Sequence, residues 1–274
     1  MFKTIIVQVD DSPAMEVRLQ AAARLANAHG AHLVGSAATG VSWPAYAMLT
    51  GSMAVTPIDE FDSLRGAARS ALDRFAERAH QLGVASIEVR LVEDEQRDAL
   101  LLQSRYADLV VTDLDGGGPA AVRGLPHYLA LHGARPVLAV PAAYAGAAFG
   151  ERIVAAWDGG VPALRAIGAA LPLLERACKV ELALVNPERE GDLHGAEPGA
   201  DMALYLARHG VRVEVVAVHT DLPAGAALLE IVRAGGADLL VAGAFGHSRY
   251  REIVLGGVTR YLIEHATVPV LFAH

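Results

Sequence analysis

The chain has 274 residues, enough for two domains of ordinary size, and 53% of them are hydrophobic but only 5% aromatic, so Ala, Val and Leu must fill whatever core forms. The formal net charge of −8 argues against a general nucleic-acid surface, which needs clustered Lys and Arg, though not against one locally bound nucleotide. A single cysteine, Cys178, excludes an intrachain disulfide and a cysteine-rich metal site and fits a reducing compartment.

Residues 4–9 are short, branched and apolar, and read as a strand that follows the first three residues with no signal-peptide apolar region before it. No apolar run is long enough to span a bilayer. The cytoplasm is the expected location, with no membrane and no nucleic acid as partner. Asp10-Asp11-Ser12-Pro13 ends the strand; Asp11 or Ser12 suits an N-cap and Pro13 the first helical position. A helix over 14–28 stops at Gly30, and 31–36 is a second strand. Residues 41–57, with Trp43, Pro44, Tyr46 and Met48, show no clear period. They read as an insertion packed on the core or on a partner, or as a partly helical lid; packing is favoured, because apolar loop residues usually bury somewhere. A long amphipathic helix spans 59–82. A strand over 86–92, a helix over 97–106, a strand over 107–112 and a strand over 136–140 follow.

The pattern then restarts. Residues 152–157 followed by Asp158-Gly159-Gly160 repeat the first strand and its acidic end at Asp10. Ala237-Asp238-Leu239-Leu240-Val241 repeats Ala107-Asp108-Leu109-Val110-Val111. Val268-Pro269-Val270-Leu271 repeats Arg135-Pro136-Val137-Leu138, and Gly210-Val211 repeats Gly83-Val84. The four anchors keep one order in both halves, and the seam lies near 142–150. Each half alternates strands and helices, which gives two tandem doubly wound α/β domains, 1–145 and 146–274, each a five-stranded parallel sheet with helices on both faces. Ligands of such sheets bind at the C-terminal strand ends, at the switch in strand order. That rule brings Asp158 beside Gly243, with Val185 in the neighbourhood.

The last strand–loop–helix unit reads VAGAFGHSRYREIVLGGVT from Val241 to Thr259. Gly243, Gly246, Gly256 and Gly257 bracket it. Glycines where a strand ends and a helix begins admit close approach of a ligand, and a helix N-terminus offers free N–H groups to a phosphate. Thr259 adds a hydroxyl in the first turn. The spacing Gly-x2-Gly-x9-Gly-x-x-Thr resembles the nucleotide-binding motif of the universal stress protein family, with one departure: Gly257 stands where the family commonly has Ser or Thr. The whole chain resembles a tandem of two such domains.

The resemblance implies strand order 3-2-1-4-5 in each half, fifth strands at the domain interface, pairing of the two domains within one chain, and a two-fold homodimer of whole chains. It also implies a site for ATP or another adenine nucleotide, alone or with Mg2+. Asp158 would accept hydrogen bonds from ribose hydroxyls or the adenine amine, or cap a helix; the backbone of Val185 would read the adenine edge, or Val185 is an ordinary core valine. Backbone N–H groups at Gly243, Gly246, Gly256 and Gly257 would hold phosphates with Thr259. His247, Ser248 and Arg249 in the loop would neutralise charge or stay solvated.

The first half keeps Asp10 but not the motif. Arg123, Gly124 and Pro126 fall where Gly256, Gly257 and Thr259 stand, and Asp113 and Asp115 would repel phosphate unless a cation intervened. A structural first half and a ligand-competent second half are expected. No His-x-x-x-His, Gly-x-Ser-x-Gly or Gly-x4-Gly-Lys-Ser/Thr motif occurs, which leaves no support for a metal site, a hydrolase nucleophile or a conventional P-loop. The expected role is regulatory or stress-protective, with ATP hydrolysis slow at most. The alternative is a nucleotide-free scaffold acting through dimerisation.

Overall fold

A computed structural model describes residues 1–50, 57–114, 124–142, 144, 148–188, 197–244 and 257–274. The chain divides into two compact units, Met1–Arg135 and Pro136–His274. The long glycine motif therefore lies partly outside the described residues, at Gly246 and Gly256.

Unit 1 runs β1 (Thr4–Gln8), α1 (Met15–His29), β2 (His32–Ala38), α2 (Trp43–Thr50), α3 (Pro57–Gln81), β3 (Ile87–Val92), α4 (Gln96–Ser104), β4 (Leu109–Asp113) and α5 (Leu125–His132). Its strands are parallel in the order β3-β2-β1-β4. Burial on both faces explains why β1 and β4 read as continuous apolar runs rather than alternating ones; Ile5, Val7, Leu109, Val110 and Val111 have no exposed surface.

One detail differs from the sequence reading, and the helical part of residues 41–57 is now given bounds. Helix α1 opens at Met15, and neither Asp11 nor Ser12 caps it. The reason is local: Asp10 Oδ1 accepts hydrogen bonds from both the Ser12 N–H (3.0 Å) and the Ser12 hydroxyl (2.6 Å), so that hydroxyl is already committed. The stretch without a clear period contains helix α2, started by Ser42, whose carbonyl accepts from Tyr46 N–H at 2.8 Å. Trp43 and Tyr46 lie 5.1 and 5.6 Å, centroid to centroid, from the buried ring of Phe61 on α3.

Unit 2 runs β5 (Val137–Val140), β6 (Arg152–Ala156), α6 (Val161–Leu174), β7 (Lys179–Val185), α7 (Ala200–Arg208), β8 (Val213–Val218), α8 (Ala224–Gly235), β9 (Leu239–Gly243), α9 (Gly257–His265) and β10 (Val270–Ala273). Five strands are parallel in the order β10-β9-β6-β7-β8, which is 5-4-1-2-3 when only these five are numbered along the chain. Strand β5 groups with this unit and lies antiparallel on β10, Leu138 opposite Leu271. All four of its residues are buried.

The repeat is visible in how the strands are tied at their starts. Asp108 Oδ2 accepts the N–H groups of Lys3 (2.6 Å) and Thr4 (3.0 Å) before β1. Its repeat partner Asp238 accepts those of Gly150 (2.7 Å) and Glu151 (3.1 Å) before β6. Among the described residues no helix is long and apolar enough to cross a membrane.

Candidate functional site

In unit 2 the chain leaves β6 for α6 and β7 on one side, and returns through α8 to β9 on the other. The order of strands therefore switches between β6 and β9, and the crevice lies over their C-terminal ends. Register fixes what meets there. Ala155 lies opposite Val241, which brings Trp157 level with Gly243. Arg152 lies opposite Lys179 and Ala156 opposite Ala183, which brings Asp158 level with Val185. Asp158, Val185 and Gly243 thus share one edge of one sheet.

Asp158 is half-buried, and its Oδ1 accepts the Gly160 N–H at 2.8 Å. The intervening Gly159 has φ +76°, a conformation that side chains resist. Gly160 caps α6, with Pro162 in its first turn. The acidic residue therefore both shapes the turn and presents a carboxylate at the crevice.

Gly243 has a packing reason of its own. A Cβ there would stand 2.5 Å from Ala163 N and 2.7 Å from the Pro162 carbonyl carbon. The close approach this glycine allows is that of α6's first turn. At the far side, Gly257 opens α9 and is exposed; a Cβ on it would meet nothing within 4 Å, and its φ lies outside the left-handed region. Thr259, two residues on, is 2% exposed, so its side chain faces the protein. Beside the crevice the His274 ring donates from Nδ1 to the Ala244 carbonyl at 2.8 Å, and its own carbonyl accepts from Arg165 at 3.0 Å. Gly246, Gly256, His247, Ser248 and Arg249 lie outside the described residues.

Val185 is half-buried at the end of β7. The residue after it was not singled out from the sequence. Asn186 is buried with φ +49°, a sparsely populated conformation for a residue with a side chain. Its amide holds it there: Nδ2 donates to the Thr220 carbonyl and Oδ1 accepts the Thr220 N–H, both at 2.8 Å. The pair locks the ends of β7 and β8 together directly beside Val185. The available signal was an Asn closing a strand run, since Asn tolerates this conformation better than most residues.

In unit 1 the corresponding strand ends are occupied by a buried network. Arg18, with no exposed side-chain surface, donates from Nε to the Gln8 carbonyl (2.9 Å) and from Nη2 to Asp10 (2.9 Å), and forms a second ion pair with Asp113. Gln8 Nε2 also reaches Asp10, at 2.9 Å. Burial by itself would push the Asp10 carboxyl up, but the Arg18 charge and hydrogen bonds from Ser12 and Arg18 outweigh it and hold the carboxyl below its ordinary value of 3.8. The cation that Asp113 needed is thus supplied from within. Asp115 and Arg123 lie outside the described residues; Gly124 caps α5 with φ +77°.

A family model described as the universal stress protein family matches the chain twice, over residues 1–141 and 150–274. The chain belongs to the universal stress protein family. A universal stress protein from Archaeoglobus fulgidus DSM 4304 is 15% identical, with 98% of this chain and 97% of that one covered at a TM-score of 0.69. A putative universal stress protein from Pseudomonas aeruginosa UCBPP-PA14 is also 15% identical, over 99% and 93% at 0.62. A universal stress protein solved in complex with cAMP is 26% identical, covering 51% of this chain and 97% of that one at 0.39. No curated protein matches the chain. The two full-length likenesses fit a tandem of two universal stress protein domains with the α/β architecture seen here.

Proposed function

We propose that unit 2 of this universal stress protein binds an adenine nucleotide of the ATP type over the C-terminal ends of β6 and β9, and that the chain acts as a cytoplasmic regulator of stress tolerance rather than as a dedicated enzyme. The observation that carries this reading is the register that sets the Asp158 carboxylate, the backbone beside Val185 and Gly243 at one sheet edge; α9, which opens at Gly257, is read as the phosphate end of the same site.

Each group has a chemical role. The Asp158 carboxylate accepts hydrogen bonds from ribose hydroxyls or the adenine amine. Val185 presents backbone to the base edge, held in place by Asn186 and Thr220. Helix α9, nine residues long, offers unsatisfied N–H groups and a positive dipole end to the phosphates. Backbone N–H groups of Gly243, Gly246 and Gly256 are read as further phosphate donors, and Mg2+ accompanies the phosphates as counter-ion. Thr259 is buried and suits anchoring of the first α9 turn better than contact with a phosphate. Hydrolysis is slow at most, since no carboxylate or histidine of the described crevice is matched to an attacking water. Isothermal titration of the purified protein with ATP and magnesium tests the reading: saturable binding is expected, weakened about tenfold or more in Asp158→Ala by loss of hydrogen bonds to a charged group.

A second reading rests on Gly257, which removes the hydroxyl common at that position of the family motif. With that contact gone, the chain would serve as a homodimeric scaffold without nucleotide. Full occupancy of each chain during purification would exclude it.

A further inference from the structure

The third strand of each parallel set lies at a sheet edge: β3 pairs only with β2, and β8 only with β7. The two units treat this edge differently. In unit 1 the helix before it, α3, has 25 residues and packs on β3. Strand β3 carries Glu88 and Arg90, paired at 2.5 Å, and Glu88 also lies 3.1 Å from His32. Charged side chains and a covering helix are how an edge strand resists pairing with another chain. In unit 2 the helix before the edge, α7, has nine residues. Strand β8 reads VEVVAV and exposes Glu214, Val215 and Ala217, where β3 exposes only Val89. Its one charge, Glu214, is matched within the unit by Lys179, whose Nζ lies 3.1 Å away.

The ladder fixes which backbone groups face outward. Val180 N–H donates to the Arg212 carbonyl at 2.9 Å, and Asn186 N–H to the Val218 carbonyl at 2.8 Å. The even-numbered residues of β8 therefore spend their groups on β7. Val213, Val215 and Ala217 turn their N–H and C=O groups away from the sheet, where none has a backbone partner among the described residues. By the same count Val89 faces outward in β3, since Leu33 N–H donates to the Ser86 carbonyl at 2.9 Å.

We propose that β8 is the docking edge for a second copy of this chain, joined β8 to β8 in antiparallel register about a two-fold axis through Val215. The outward groups select that register. Val215 meets its own counterpart and Val213 the counterpart of Ala217, so every outward N–H finds a carbonyl. Glu214 falls opposite the counterpart of Val216, so no like charges stand directly opposite each other. The strand thus meets itself through apolar pairs, and its one carboxylate already has a cation beside it. Helix α7, which packs on β8, adds exposed Leu204 and Tyr205 next to the strand. The two-fold consumes both edges at once and closes at a dimer, the commonest symmetry of soluble oligomers. The interface does not depend on nucleotide in unit 2.

Sedimentation velocity of the full chain tests this, with Val215→Pro and Val89→Pro beside wild type. Register makes the two positions equivalent: Val89 lies opposite Gly35 and Val215 opposite Leu182. Proline removes only an outward N–H, which an edge strand tolerates, so circular dichroism should be unchanged in both. A dimer is expected for wild type and Val89→Pro, and a monomer for Val215→Pro. A monomeric wild type, a dimeric Val215→Pro or a monomeric Val89→Pro would overturn the proposal. If Val215→Pro unfolds, Val215→Cys in a Cys178→Ser background decides. The two-fold sets residue 215 against itself within disulfide reach, so oxidation with copper phenanthroline should give a covalent dimer on a non-reducing gel. Val89→Cys in the same background should stay a single chain. No covalent dimer from the first, or equal cross-linking of both, would overturn the proposal.

Discussion

Substituting Gly257 by serine restores the hydroxyl that the family motif commonly carries, and the structure permits its effect to be worked out in advance. The new Cβ would meet nothing within 4 Å, and the backbone is outside the left-handed region, so neither overpacking nor backbone strain enters. Replacing Gly by Ser at the start of α9 gains about 0.5 kcal/mol of helix propensity. A hydroxyl donating to a phosphate adds about 1.5–3 kcal/mol, the range for a hydrogen bond to a charged group, or about 10–100-fold in Kd. Gly257→Ala is the control, since it gives the helical gain without the hydroxyl. Calorimetric titration with ATP and magnesium should show Gly257→Ser binding about tenfold tighter or better, with Gly257→Ala close to wild type. Both should unfold at slightly higher temperature than wild type without ligand. Equal affinities for all three would refute the claim that α9's N-terminus faces the phosphates.

Three further outcomes follow from single residues. Gly243→Ala forces a methyl against the backbone of Ala163 at 2.5 Å and should cost about 1–3 kcal/mol by urea unfolding; a neutral effect would show that α6 does not sit on β9 as described. Asn186→Ala should destabilise more than Asn186→Gly, because both lose the two hydrogen bonds to Thr220 but only alanine is strained at positive φ, by about 1–2 kcal/mol; the reverse order would refute the conformational argument. Asp10 has its folded pKa below 3.8, so its contribution to stability is fully present above that value and is lost as pH falls through the lower, folded one. Arg18→Ala removes part of what holds the carboxyl down, so a stability profile taken downward from about pH 4 should show a smaller acid-side loss from this group; an unchanged profile would show that Arg18 does not act on Asp10.

The strand runs and the repeat were legible because buried parallel strands read as unbroken apolar stretches and because paired anchors such as Asp108 and Asp238 hold the same strand starts. The acidic strand end at Asp158 was equally legible, since an Asp followed by two glycines after an apolar run announces a tight turn. The meaning of Gly243 was only half visible. Its position at the strand end could be read, but the neighbour that demands it, the first turn of α6, is about 80 residues away in sequence and is known only from packing. Arg18 hid for a related reason. In isolation it is one arginine on a mixed helix; only the helical spacing that sets it beside Leu19 and Ala22, together with its repeat partner Ala166, marks the position as buried. The bounds of helix α2 could not be read because an eight-residue segment without charge has no period, while the favoured packing of Trp43 and Tyr46 is met by Phe61.

Nucleotide occupancy of unit 2 is the central claim, and the direct measurement is chromatography of the supernatant after denaturing natively purified protein, wild type beside Asp158→Ala. Adenine nucleotide released in near-equimolar amount by the wild type and absent from the variant is the predicted result. No nucleotide from either protein, with no shift in unfolding temperature on adding ATP and magnesium, would contradict it and leave the scaffold reading in its place.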